Sequence, residues 1–298
     1  MKALILYSSF TGTCRYYANC YKTALEQSGF TVDKLNASTP ETRATCLKKI
    51  APAHEYDVVG FGSSIAMGGF QNGFKDFVER DLSDDYLRGK RVFTFCTANA
   101  TCEGAGVVGT NLVKRGGQFF YHGFWPSTLN WPPLAGQKGL LLSKADLDIP
   151  RRHGEELVQR LEQGVVTSPP SVPASFKVMS HLGVSAKMLG KLGLGRVTVD
   201  PTRCIGCGKC VRTCPTGAMR MGPTHVAEKG AGCHGCFACF NACPSQAITK
   251  RFADPDKCPQ FQFNDTYIKM VQTADLPEKK RLSKTEWDAL KARVKAKK

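Results

Sequence analysis

Cys204-Ile205-Gly206-Cys207-Gly208-Lys209-Cys210-Val211-Arg212-Thr213-Cys214-Pro215 returns as Cys233-His234-Gly235-Cys236-Phe237-Ala238-Cys239-Phe240-Asn241-Ala242-Cys243-Pro244. Both runs read C-x-x-C-x-x-C-x-x-x-C-P, a spacing suited to iron-sulfur ligation. A cube with four iron corners needs one soft thiolate at each corner. Three cysteines two residues apart let one tight loop wrap three corners, and the fourth iron must be reached from elsewhere. Eight thiolates so spaced imply two 4Fe-4S clusters. In this pattern the fourth cysteine of each run serves the other cluster. Cys204, Cys207, Cys210 and Cys243 then hold one cluster, and Cys233, Cys236, Cys239 and Cys214 the other. A pair of zinc knuckles is the competing reading of the C-x-x-C pairs, but zinc has no use for a duplicated Cys-Pro ending. A secreted disulfide framework fits less well still, because the spacings are too short and too regular.

Over residues 199 to 250 the chain resembles the bacterial two-cluster ferredoxins. Beyond the cysteines, the resemblance is carried by Ile205-Gly206 and Gly208, and by Pro215-Thr216-Gly217-Ala218 and Pro244-Ser245-Gln246-Ala247-Ile248. It implies a small α+β ferredoxin-like domain.

That domain occupies about fifty of the 298 residues, so most of the hydrophobic core must lie elsewhere, and the length suits about two domains. Met1 to Tyr7 is an apolar run too short for a signal-peptide core or a membrane span. A cytoplasmic location with no integral membrane segment is expected, and 14 cysteines in a reducing compartment suit metal ligation. The formal charge of +16 is uneven: 19 of the 41 basic and 16 of the 25 acidic residues lie at or before Ser168. The excess falls on the second part and suits either plain solubility or a redox partner protein with an acidic surface. No RNA- or DNA-binding motif accompanies the scattered basic residues, so no nucleic-acid partner is expected.

The first 165 residues alternate strands and helices. Strands are expected at Lys2 to Tyr7, Thr31 to Leu35, Tyr56 to Gly62, Arg91 to Thr97 and Phe119 to Phe124. Helices are expected at Cys14 to Gly29, Pro40 to Ile50, from Phe74 to Arg80, Gly104 to Arg115 and Pro150 to Gln163. This is the pattern of an α/β fold with a doubly wound, five-stranded parallel sheet, whose ligand site lies beyond the carboxyl ends of its strands. The expected organisation is a first domain over 1–167, a stiff Ser168-to-Pro173 linker and connecting helix to 198, the cluster domain over 199–250, and a basic extension over 251–298. In that extension Phe261, Phe263, Tyr267 and Ile268 wrap back on the protein. Ser283-Lys284-Thr285-Glu286 reads as a capping box, stapled by Leu282 and Trp287 at the start of a last helix.

After the first strand comes Ser8-Ser9-Phe10-Thr11-Gly12-Thr13-Cys14. Hydroxyls and a glycine between a strand and a helix N-terminus make a phosphate cradle. The loop resembles the FMN phosphate loop of the flavodoxins, T/S-x-T-G-x-T, with Ser9, Thr11, Gly12 and Thr13 fitting and Cys14 departing from it. No Walker lysine follows, which argues against nucleoside triphosphate hydrolysis. The flavodoxin resemblance implies a bound FMN whose ring lies among the loops after strands three and four. Ser64, Ile65, Met67 and Phe70 come from the first of these, and Asn99 and Thr101 face the pyrimidine edge from the second. Trp125 or Trp131 approaches from the loop after strand five.

Gly104-Ala105-Gly106-Val107-Val108-Gly109 spells G-x-G-x-x-G but follows the fourth strand, with no acidic residue before Lys144 to hold a ribose. It reads as a glycine-rich helix start rather than a dinucleotide site. Cys20, Cys46 and Cys96 fall at packing positions, and Cys102 and Cys258 are either redox-active or ordinary reduced thiols. The two halves together resemble flavodoxin-ferredoxin fusion proteins. That resemblance implies an electron-transfer iron-sulfur flavoprotein relaying electrons between FMN and two 4Fe-4S clusters, and a homodimer is one arrangement that would bring the flavin of one subunit to the clusters of the other. The alternatives are a flavin-dependent reductase of a small molecule, with a pocket of Trp125, Trp131 and Phe70, and a redox-sensing module.

Overall fold

The computed structural model describes residues 1–50, 55–66, 69–98, 103–126, 139–174, 197–233, 235–249, 254–273 and 280–296. The chain divides into two compact units. Met1–Ser9, Thr13–Pro126 and Asp148–Gly183 form the first, and Phe10–Gly12, Ser127–Leu147 and Val184–Lys298 the second.

In the first unit the elements run β1 (Lys2–Ser8), α1 (Thr13–Gln27), β2 (Thr31–Asn36), α2 (Pro40–Lys49), β3 (Val58–Ala66), β4 (Gly69–Phe70), α3 (Asn72–Asp76), β5 (Arg91–Ala98), α4 (Glu103–Lys114) and β6 (Gln118–Pro126). The parallel strands order as β2-β1-β3-β5-β6, with β4 returning antiparallel on β3. This is the flavodoxin-like doubly wound order, and its switch point lies between β1 and β3. Leu4 and Leu6 face a core shared with Cys46 of α2, Phe74 of α3 and Val108 and Leu112 of α4. On the opposite face Tyr17 and Tyr21 of α1 pack on Phe95 and Phe93. With both faces covered, β1 is an almost unbroken buried run rather than an alternating one.

Two glycines bring the aromatic layer down onto the sheet. A Cβ on Gly60 would lie 2.1 Å from the Phe93 ring, and one on Gly62 would lie 2.0 Å from the Phe95 ring. The helix glycines of the G-x-G-x-x-G run have a comparable role. A Cβ on Gly106 would meet the Pro170 carbonyl at 2.2 Å, and one on Gly109 would meet Pro169 at 2.8 Å. The proline segment thus lies against α4, and Thr167 N–H donates to the Phe119 carbonyl (2.7 Å).

Some boundaries differ from expectation. β3 begins at Val58 and runs on to Ala66, because its end is paired by β4. The helix expected over 74–80 is α3 followed by a π-helical turn, Phe77–Asp81. The helix expected from Pro150 is α5 (Lys144–Gln163), which starts six residues earlier. Ser143 caps it, with Asp146 N–H donating to Ser143 Oγ (3.3 Å) and Ser143 N–H to Asp146 Oδ2 (2.9 Å).

The second unit holds β7 (Gly139–Leu141), β8 (Thr198–Val199), α6 (Lys209–Arg212), β9 (Met219–Met221), β10 (Ala227–Lys229), α7 (Ala238–Ala242), β11 (Ile248–Thr249), α8 (Asp265–Thr273), β12 (Lys280–Leu282) and α9 (Lys284–Ala296). β8 pairs with β11 and β9 with β10, all antiparallel. The cysteine repeat is carried into the backbone. Gly206 and Gly235 have φ 67° and 66°, Gly208 and Phe237 have 65° and 58°, and Gly217 and Gln246 have 67° and 56°. Each pair is 29 residues apart, the offset between the two cysteine runs. A left-handed turn costs a non-glycine residue roughly 1–2 kcal/mol, so Phe237 and Gln246 keep a shape that glycine adopts freely in the first copy.

The segment after the clusters is stitched to them. Gln260 Nε2 donates to the Phe240 and Cys243 carbonyls (2.7 and 2.8 Å), and Phe261 N–H to the buried Asn241 Oδ1 (2.7 Å). Phe261, Phe263 and Tyr267 then gather into one aromatic cluster with Trp287. Phe263 N–H also donates to the Thr11 carbonyl (2.6 Å). Ser283 and Glu286 form the expected capping box, with Ser283 N–H donating to Glu286 Oε2 (2.8 Å) and Glu286 N–H to Ser283 Oγ (3.3 Å). Leu282 and Trp287 are both buried beside it. β12 pairs antiparallel with β7.

Candidate functional sites

The eight cysteines of the repeat sort into two cavities. Cys204, Cys207, Cys210 and Cys243 line the first, with Val199, Ile248 and Met221 supplying apolar wall. Cys214, Cys233, Cys236 and Cys239 line the second, with Val197, Met219 and Phe237. Each cavity therefore takes three thiols from one copy and the fourth from the other. Among the described residues no three His, Cys, Asp or Glu side chains close on a point as a single metal ion would require. Four thiols around one cavity is an arrangement that a four-iron group can use.

The two sites share their hydroxyl chemistry as well. Cys214 Sγ lies 3.6 Å from Thr216 Oγ1, and Cys243 Sγ lies 3.6 Å from Ser245 Oγ, the equivalent pair in the repeat. Ala247 N–H donates to Cys243 Sγ (3.3 Å). Donors aimed at sulfur stabilise negative charge on the thiolates and tune the potential of a bound cluster. Without metal, burial pushes the Cys236 thiol up to about 12 and holds those of Cys239 and Cys210 above the ordinary thiol value. Bound iron supplies the positive charge that makes their ionised forms favourable. Cys258 is fully buried in the same core, and burial raises its thiol too. It is a packing residue.

At the carboxyl end of β1 the hydroxyl loop is largely buried. Ser8, Thr11, Thr13 and Cys14 are no more than 3% exposed. Ser9 Oγ accepts from Arg15 N–H (3.2 Å) and caps the first turn of α1, while Ser9 N–H donates to Ser38 Oγ (2.9 Å). Gly12 turns the loop at φ 96°, where a side chain would be strained. Among the described residues, Ser8 Oγ is buried with no hydrogen-bond partner. The first turn of α1 carries no acidic residue, so nothing there repels an anion. An orphaned buried hydroxyl and a glycine turn ahead of a helix N-terminus together fit a phosphate-bearing cofactor. Burial raises the Cys14 thiol far out of the physiological range, so it remains protonated.

Beside this loop, the end of β3 adds hydroxyls. Ser63 Oγ accepts from Gln71 N–H (3.2 Å), and Thr97 Oγ1 of β5 donates to Ser64 Oγ (3.4 Å). The Phe70 ring is 1% exposed and lies in the core with Phe74. Trp125 is fully buried within β6 between Tyr16 and Tyr17, so it is a core residue rather than a loop residue. Met67, Asn99, Thr101, Trp131 and Cys102 lie outside the described residues, as does the connecting helix expected after residue 174. Ser8 heads the hydroxyl run but falls outside the T/S-x-T-G-x-T pattern, and its burial is what marks it as a candidate.

Residues 4–114 match the family model of a flavodoxin domain, and residues 196–244 that of a 4Fe-4S dicluster domain. The chain thus combines the two, and together they indicate electron transfer involving a flavin and iron-sulfur clusters. Among solved structures, a flavodoxin from the domain Archaea is 16% identical, covers 54% of this chain and 99% of its own, and superposes with a TM-score of 0.41. The two-electron reduced flavodoxin of Megasphaera elsdenii is 16% identical over 53% of this chain and 98% of its own, with a TM-score of 0.38. Rubredoxin oxygen:oxidoreductase from Desulfovibrio gigas is 14% identical over 54% of this chain and 36% of its own, with a TM-score of 0.39. No curated protein sequence matches the chain. Among the described residues no helix is long and apolar enough to cross a membrane.

Proposed function

We propose that this protein is an electron carrier that relays electrons between FMN and two 4Fe-4S clusters, to or from a redox partner protein. The observation that carries this reading is the sorting of eight cysteines into two four-thiol cavities, each completed by the other half of the repeat. Bound FMN exchanges electrons in pairs or singly and each cluster exchanges one, so the combination converts between two-electron and one-electron chemistry.

The chain's part is binding and tuning. Ser9, Thr11, Gly12 and Thr13, with the N–H groups opening α1, would hold the phosphate, and the unpartnered Ser8 hydroxyl is available to the same group. Ser64, with Thr97 behind it, would meet the flavin from the end of β3. The two cysteine sets would ligate the clusters, Thr216 and Ser245 would donate to their fourth thiolates, and the apolar walls would exclude water. Location in the cytoplasm belongs to this same reading. The alternative of a small-molecule reductase takes Trp125, Trp131 and Phe70 as pocket walls; the Trp125 and Phe70 rings are in the core, and Trp131 lies outside the described residues. Protein purified without oxygen is expected to show flavin absorbance and about eight irons per chain. Absence of flavin, or about four irons, would sink the proposal.

A further inference from the structure

The repeat supplies its own control for asking which cluster site meets a partner, because equivalent positions can be compared in one molecule. In the first copy Cys207 is exposed, while its counterpart Cys236 is partly covered. Gly208 becomes Phe237, 1% exposed, Lys209 becomes Ala238, 1% exposed, and Arg212 becomes Asn241, 3% exposed. The second copy turns these positions into core. The first leaves them at the surface, with Lys209 and Arg212 exposed. Ile205, next to Cys204, is 67% exposed, more than any other large apolar side chain described.

We propose that the surface formed by Ile205, Cys207, Lys209 and Arg212 is the port through which electrons pass between this protein and an acidic redox protein. The inference rests on the electron-carrier reading and assigns its partner surface. Ile205 and Cys207 both line the first cavity, so a partner seated on them is one side chain away from that cluster. Arg212 Nη2 donates to the Cys207 carbonyl (3.1 Å), which fixes the guanidinium beside the exposed ligand. Among the described residues neither Lys209 nor Arg212 has a carboxylate in an ion pair, whereas neighbouring Arg203 is held by Asp256 (2.8 Å). An apolar centre flanked by two uncommitted cations matches a partner that rings its own redox centre with carboxylates. Such complementarity sets orientation and on-rate. One electron crosses at this surface: the donor centre is oxidised by one, the acceptor is reduced by one, and no bond forms or breaks.

The test uses the fully loaded, dithionite-reduced protein, with an oxidised acidic single-domain flavodoxin as protein probe and neutral menadione as small acceptor. Lys209→Glu/Arg212→Glu is expected to slow reduction of the flavodoxin at least about tenfold at low ionic strength and to weaken its Kd by a similar factor. The difference should fade as salt screens it, while the iron content stays at the wild-type value and the flavodoxin rate falls well beyond any change in the menadione rate; an equal fall with menadione would assign the effect to the cluster's own potential and overturn the port. Ile205→Ser, which alters no charge, is expected to weaken flavodoxin binding several-fold without changing the salt dependence. The same charge change on α2, Lys48→Glu/Lys49→Glu, is expected to have little effect, and an equal effect there would overturn the port in favour of net charge alone. Unchanged flavodoxin binding in the first two variants would also overturn it. A wild-type protein that reduces neither acceptor would instead refute the electron-carrier reading itself.

Discussion

Asn241→Ala tests how the segment after the clusters is held to them. Asn241 is 3% exposed; its Nδ2 donates to the Phe237 carbonyl (3.0 Å), and its Oδ1 accepts from Phe261 N–H (2.7 Å). The Phe237 carbonyl keeps a second donor, the Asn241 backbone N–H (3.0 Å). Phe261 N–H keeps none in its place. Orphaning that buried donor costs about 1–3 kcal/mol, and the lost Nδ2 bond adds about 1 kcal/mol. A total near 3 kcal/mol raises the opening equilibrium of the segment by about 100-fold. Hydrogen exchange read by mass spectrometry should show this rise in a peptide covering residues 260–263, with Trp287 fluorescence changing in parallel and the 91–98 strand unaffected. Gln262→Ala removes only the donor to the Asn241 carbonyl (2.9 Å) and should have about a fivefold effect or less. Asn241→Asp keeps the acceptor but loses the donor and buries a charge, so it should be at least as damaging as alanine. Exchange within about threefold of wild type in Asn241→Ala would refute the argument, since even the smallest cost above exceeds that factor.

Gly62→Ala would push a methyl into the Phe95 ring and should destabilise the first unit by about 1–3 kcal/mol; Phe95→Leu in the same chain should recover part of it in a denaturation-based double-mutant cycle. The crossed cysteine sets predict that Cys207→Ser/Cys243→Ser damages one site and leaves about four irons, whereas Cys236→Ser/Cys243→Ser damages both. An uncrossed arrangement reverses the two iron counts. Burial, reinforced by Arg152 and His122 against the pull of Glu156, holds His153 below its ordinary value of 6.5. The unfolded chain therefore takes up this proton first. The stability tied to neutral His153 is complete above pH 6.5 and is lost as pH falls from there to the lower folded value, then levels off. The Tyr17 hydroxyl pairs with His153 Nδ1; urea midpoints measured against pH should show that slope, and it should flatten in His153→Gln, whose amide can still pair with that hydroxyl.

The sheet was legible because each strand is a short apolar run ended by a polar or glycine turn, and five such runs separated by helices leave few topologies. Strand ends were less legible. β3 gains its last residues from pairing with Gly69 and Phe70, a contact between chain neighbours that no periodicity announces. β7 and β12 are also invisible singly, since each is three residues long and exists only because the other pairs with it. Pro150 was read as a helix start, yet Ser143-Lys144-Ala145-Asp146 carries the same S-x-x-acid pattern that located α9 correctly. At the sites, the ligand spacing named every cysteine that lines the two cavities. Trp125 and Phe70 were placed at the flavin by chain position alone, and burial decides between a core ring and a site ring only in three dimensions. Ser8 stands in the hydroxyl run, but the orphaning of its hydroxyl is a property of its surroundings that no run of sequence displays.

The left-handed turns also bear on how the protein acquires its metal. The 204–210 loop makes its turns with Gly206 and Gly208 and can reach its binding shape before anything around it has folded. The 233–239 loop must hold Phe237 in the same conformation against its steric preference, and the burial of that ring in the surrounding core is what offsets the cost. One half of the repeat is shaped by its own sequence and the other by its neighbours. Assembly should therefore have a direction, with the glycine-turned loop ready to capture iron and sulfide early and the phenylalanine-turned loop competent only after the core has closed. Loss of metal under stress should run in the opposite order. A duplicated motif has in this way become a sequence of events.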